Sequence, residues 1–128
     1  MIAGEQPAGA VIIVAKSEPE PGIENKLKAR CITVQWARSI NAACGLLESA
    51  HSGTLVITEL ALTDGNWRDL IERVRGLGKF IPVVLLSSTR TAELWWDALE
   101  CDVEDILQAP VSASQLCKYL AEHFKAEK

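Results

Sequence analysis

Five short apolar runs, separated by stretches with helical periodicity, decide the architecture open to this chain. They are Val11–Ala15, Cys31–Trp36, Thr54–Thr58, Ile81–Leu86 and the weaker Asp105–Gln108. Runs that are apolar on both faces suit a parallel sheet covered by helices on each side. The intervening segments supply those helices. Ser39 caps one whose apolar positions include Ile40, Ala43, Leu46 and Leu47. Asn66 caps another, with Leu70, Ile71 and Val74 inward and an end near Gly76 and Gly78. Thr91 opens a helix to Glu100, and Ser112 or Ser114 opens the last, striped by Leu116, Leu120 and Phe124. These starts use side-chain oxygens to satisfy the first free amides. The first helix starts late, near Ile23, because Pro19, Pro21 and Gly22 occupy its expected first turn.

A strand–helix unit repeated five times predicts a single doubly wound α/β sheet of five parallel strands, in the order 2-1-3-4-5. Residues 10–126 form the domain, and residues 1–9, with Gly4, Pro7 and Gly9, form a flexible N-terminal segment. In such sheets the working site lies at the carboxyl ends of the strands. That places Lys16, Ser17, Glu59, Ser87, Ser88 and Ala109 under inspection.

Composition removes several functional classes. With 13 Lys and Arg against 17 Asp and Glu, the formal charge is −4, which argues against a broad nucleic-acid surface. No apolar run approaches the roughly 20 residues of a membrane span, and the start lacks a signal-peptide pattern. No membrane association and a cytoplasmic location are therefore expected. Cys31, Cys44, Cys101 and Cys117 are scattered, with no C-x-x-C pair, and only His51 and His123 could join them. The expectation is reduced, mostly buried thiols and no metal site. No Gly-rich phosphate loop follows the first strand, and Ser87 has no His and Asp beside it in sequence, so no nucleotide site or Ser-type catalysis is argued. The chain is not expected to be an enzyme.

Four segments carry a resemblance. Leu55–Gly65 (LVITELALTDG) resembles the third strand and following loop of a response-regulator receiver domain, the flavodoxin-like module of two-component signalling. Ala98–Pro110 (ALECDVEDILQAP) resembles that family's approach to the fifth strand and its Lys-Pro turn. Ile12–Glu20 (IIVAKSEPE) resembles the first strand and the acidic pair after it, and Ile81–Ser87 (IPVVLLS) the fourth strand with its terminal hydroxyl. The match spans Val11 to Phe124. The family implies five working groups: two acids holding Mg²⁺, an acceptor Asp, a Ser or Thr hydroxyl and a Lys. Here the acidic pair aligns with Lys16 and Ser17 (a one-residue shift gives Ala15 and Lys16). The acceptor position is Glu59, the hydroxyl is Ser87, and the lysine position is Ala109. The aromatic switch position on the fifth strand is Ile106, and Thr63 replaces the loop proline. The family's turn is often cis at this proline, whereas the sequence alone gives cis a low base rate, so both forms of Ala109–Pro110 stay open.

These replacements have a physical meaning. Mg²⁺ needs near-octahedral oxygen ligands and one or two carboxylates. Lys16 brings a positive charge to that place, and Ser17 brings only a hydroxyl. Without metal or lysine, nothing neutralises the charge that builds up in phosphoryl transfer. Glu59 also sets its carboxylate about one methylene further out than Asp, a displacement of the order that costs roughly a hundredfold in rate. The expectation is a degenerate pseudo-receiver that has lost Mg²⁺ and phosphoryl transfer and needs no cofactor. Lys16 would pair with Glu59 across adjacent strands in the metal's stead. Glu59 as a standing imitation of an acyl phosphate is a further option. The module would then work by binding a signalling protein in a phosphorelay, or a second copy, through helix four, strand five and helix five. Two alternatives stand: a receiver still phosphorylated by a histidine kinase, and a small-ligand binder or enzyme using the strand-end cleft.

The candidate interaction face is Trp95, Trp96 and Ile106. Adjacent helical residues diverge by about 100°, so one tryptophan should pack with Ala92 and Leu99 while the other is exposed. Trp67 is packing or a gate near the site mouth, and Trp36 is core or edge. Glu100–Asp105 reads as a solvated acidic turn, and Asp64–Gly65 as turn chemistry. Lys26, Lys28 and Arg30 read as a solvated face, and His51 and His123 lie near helix ends.

Overall fold

The computed structural model describes residues 9–16, 22–51 and 53–126. Five strands form one parallel sheet: β1 (Gly9–Val14), β2 (Ile32–Ala37), β3 (Leu55–Glu59), β4 (Val83–Ser87) and β5 (Asp105–Gln108). Their spatial order is β2-β1-β3-β4-β5, the doubly wound arrangement expected from the alternation. The pairings run Val11 beside Val34 and Leu55, Val56 beside Val83, and Leu85 beside Ile106. Five helices complete the units: α1 (Ile23–Lys28), α2 (Ile40–Glu48), α3 (Trp67–Arg75), α4 (Ala92–Glu100) and α5 (Ala113–Ala126).

Alternation along each strand sends side chains into two cores. Ile12, Val14, Val56, Leu85 and Ile106 face α2, α3 and α4, with Leu47 and Leu70 packed over them. Val11, Ile13, Leu55, Ile57 and Val84 face α1 and α5, where Leu27, Leu116 and Leu120 cover them. Each such Leu or Ile, removed fully from water, contributes about 1.5–3 kcal/mol of transfer free energy. β1 starts at Gly9, the last residue assigned to the flexible segment. A Cβ there would lie 2.5 Å from the Phe124 ring, so the glycine lets the strand run under α5.

Caps fix the helix starts where sequence placed them. Ser39 Oγ accepts from the Ala42 amide, and Thr91 Oγ1 from that of Leu94. Asn66 and Asp69 form a reciprocal capping box. Ser112 is the residue that opens α5: its Oγ accepts from Gln115 N–H while Gln115 Oε1 accepts from Ser112 N–H. Between β3 and α3 lies a feature absent from the sequence reading, a two-rung hairpin of Ala61–Leu62 against Gly65–Asn66. Gly65, at φ 151°, sits against Asp69 and Ile40 and leaves no room for a side chain.

The cysteine expectation holds only in part. All four are free, and Cys44 and Cys117 are buried, but Cys101 is half-buried and Cys31 is exposed. Cys31 ends the turn before β2 in the left-handed region, φ 61°, which points it away from the core. Of the histidines, His51 lies beyond the end of α2 and His123 lies within α5, against the Phe124 ring. Among the described residues, no helix is long and apolar enough to cross a membrane.

Candidate functional site

The carboxyl ends of β1, β3, β4 and β5 open onto a cleft of about 260 Å³. Lys16, Glu59, Ser87 and Ala109 line it together, with Leu60, Ala61, Ser88 and Thr89. Four positions named from sequence thus meet in one place, because parallel strands deliver their last residues to the same edge. Ser17 lies outside the described residues.

Lys16 and Glu59 do touch, but not as an ion pair. The main-chain N–H of Lys16 donates to Glu59 Oε1 at 2.9 Å. Among the described residues the ion pairs are Arg68–Asp97 and Arg75–Asp102. The expected ammonium–carboxylate contact is therefore corrected to an amide–carboxylate one. The reason is reach: Lys16 lies two residues past β1, so its amide already faces the end of β3, and the residue is exposed. The longer side chain of Glu59 folds back onto that corner.

Ser87 is buried, and its hydroxyl is already engaged. Its Oγ donates to the Thr89 carbonyl at 2.6 Å and accepts from Thr89 N–H at 3.1 Å. This closes the loop after β4 as a side-chain turn. Next to it, Gln108 Nε2 donates to the Ser88 and Ala109 carbonyls, both at 3.3 Å. Ala109 offers only a methyl group, and Ala109–Pro110 is cis. On the other flank Trp36 is half-buried, and its Nε1 donates to the Ala15 carbonyl at 3.2 Å. Trp67, the first residue of α3, is buried in the core shared with α2, so it is packing and not a gate.

A divalent ion does not fit the described side chains. They offer the cleft one carboxylate, Glu59, and it is held by the Lys16 amide, with an ammonium on that same residue. Among the described residues, no group of three or more His, Cys, Asp or Glu is placed to hold a metal. The obstacle is that the one carboxylate is already engaged and shares its corner with a cationic side chain.

Two roles escaped the sequence reading, which took Asp64 only as a turn residue. Asp64, at the hairpin tip, caps α2: Ile40 N–H donates to Oδ1 at 2.8 Å and Asn41 N–H to Oδ2 at 3.1 Å. Those two amides hold its carboxyl below the usual carboxylate range. Lys79 serves the other end of α2, donating to the carbonyls of Leu47, Glu48 and Ala50. The acidic turn is also more than solvated. Burial, with the nearby Asp105 carboxylate, pushes the Tyr119 phenol up.

On α4 both tryptophans are exposed, Trp95 by 40% and Trp96 by 68%. The expected packing of one against Ala92 and Leu99 is not formed, since Ala92 and Leu99 are themselves exposed. Ala98 alone on this helix is buried, with Leu94 half-buried beside it, and these two fill its core-facing side. Ile106 must also leave the candidate interaction face. It is 2% exposed and packs inward from β5 beneath α4.

Solved structures share this architecture. A two-component response regulator from Clostridium difficile superposes with a TM-score of 0.80 at 18% identity, over 94% of this chain and 98% of that one. The fold is that of a response-regulator receiver domain. A Francisella receiver domain gives a TM-score of 0.78 at 18% identity, covering 94% and 99% of the two chains. A response regulator from Thermotoga maritima gives 0.76 at 20%, covering 94% and 98%. The sequence matches no family model and no curated protein.

Proposed function

We propose that this chain is a receiver-fold interaction module of two-component signalling that works by binding and performs no phosphoryl transfer. The observation that carries the reading is Glu59. The acid at the acceptor position binds the Lys16 amide through Oε1, inside a cleft whose described side chains offer no second carboxylate. Phosphoryl transfer needs a free in-line oxygen and cations to spread the developing charge. The engaged Ser87 hydroxyl and the methyl group of Ala109 supply neither. On this reading the module needs no cofactor, catalyses no reaction and acts inside the cell on a partner protein.

Incubation with acetyl phosphate and Mg²⁺, followed by intact-mass spectrometry, tests it. The expected spectrum shows the unmodified chain. A mass gain of one phosphoryl group that disappears in Glu59→Gln would overturn the proposal.

A further inference from the structure

We infer that a second cleft, at the amino-terminal edge of the sheet, binds a small organic cation with an apolar body, of arylalkylamine size. The inference goes beyond the proposed function and does not draw on it. The cleft has a volume of about 240 Å³ and lies between the end of α3, the start of β4 and the turn from α4 into β5. It shares no lining residue with the Lys16–Glu59 cleft at the carboxyl ends of the strands. Pockets for drug-sized ligands run to roughly 300–1,000 Å³, so this one suits a smaller molecule.

The floor is apolar. Ile71, Val74, Ile81 and Val83 line it and belong to the core that α2, α3 and α4 cover. Phe80 also lines the cleft and is 67% exposed. Among the described residues it is the one large apolar side chain exposed outside α4. A phenyl ring left in water beside an apolar floor gains when a ligand body covers both.

Charge selects the ligand. Arg75, Lys79, Asp102 and Glu104 line the cleft, and both cations are already committed. The Arg75 guanidinium donates to the Cys101 carbonyl and pairs with Asp102 at 3.6 Å. The Lys79 ammonium is held by the three carbonyls at the end of α2. Glu104 is fixed through its main chain, whose N–H donates to the Val83 carbonyl at 2.8 Å. Its side chain is exposed and makes no ion pair or hydrogen bond among the described residues. The uncommitted charge in the cleft is therefore negative. An ammonium group meets it and gains further from the face of the Phe80 ring. An anion would face Glu104 with no free cation to balance it.

The test titrates the full chain with 2-phenylethylamine and follows the backbone amides by two-dimensional NMR. Saturable shifts are expected at Val74, Phe80, Val83, Cys101 and Glu104, with Lys16, Glu59 and Ala109 unmoved. A ligand of this size should bind with a Kd of about 1–10 mM. 3-Phenylpropionate, with a similar body and the opposite charge, should bind at least about tenfold more weakly. Glu104→Gln should weaken the amine about threefold and bring it level with 2-phenylethanol. Phe80→Ala should weaken it at least about threefold. Both substitutions are at exposed positions, and circular dichroism should match that of the parent. No saturable shift up to about 50 mM, shifts scattered over the surface, equal binding of 3-phenylpropionate, or unchanged binding in the folded Glu104→Gln variant would each overturn the inference.

Discussion

Lys79→Met removes the ammonium that closes α2 while keeping most of the apolar stem. The three acceptor distances are 2.9, 2.7 and 2.8 Å, to the carbonyls of Leu47, Glu48 and Ala50. A hydrogen bond from a charged donor contributes about 1.5–3 kcal/mol when shielded. The three cannot be summed, because one half-buried group makes all of them and water replaces part of each. A cation at a helix C-terminus contributes about 0.3–1 kcal/mol when exposed and up to about 2 kcal/mol when partly buried. Together these set the expected loss at about 2 kcal/mol. At roughly 4 °C per kcal/mol for a domain of this size, Tm should fall by about 8 °C. Urea unfolding followed by circular dichroism measures the loss directly, with an unchanged slope confirming that only stability moved. A loss below about 0.5 kcal/mol would refute the reasoning, since it would show that water serves these carbonyls as well as Lys79 does.

Further expectations follow from the same geometry. Lys16→Ala should change stability by less than about 0.5 kcal/mol, because the contact uses its main chain, whereas Glu59→Ala should cost about 1 kcal/mol. Equal losses in urea melts of the two variants would restore the ion pair. Asp64, with its carboxyl depressed in the folded state, stabilises the fold above the ordinary value of 3.8 and loses that contribution as the pH falls through its folded titration. The urea midpoints of the parent and Asp64→Asn should therefore converge as the pH falls below 3.8, and a constant gap would refute the cap. Gly9→Val forces a side chain into the Phe124 ring and should cost about 1–3 kcal/mol in thermal melts.

The sheet was legible because strands covered on both faces leave continuous apolar runs, as in Val11–Val14 and Leu55–Ile57. Caps such as Ser39, Thr91 and Asn66 were legible because each acts within three residues of itself. Lys79 was not, since its acceptors lie 29 to 32 residues away. The meeting of Lys16 with Glu59 could be read from strand order, but spacing does not distinguish an ammonium from the amide of the same residue. The tryptophans misled for a different reason. One of the two was expected to pack, yet Leu94 and Ala98 had already filled the inward side of α4, so both are exposed.

The hairpin after β3 ties the cleft to its surroundings. Its tip, Asp64, holds the first turn of α2, and its foot, Asn66, holds the first turn of α3. The corner next to Glu59 therefore behaves as a yoke across two helices. Anything that displaces it by the width of an atom must drag both helix starts along or break their caps. A disturbance at the mouth of this sheet is thereby carried to the flank of the molecule.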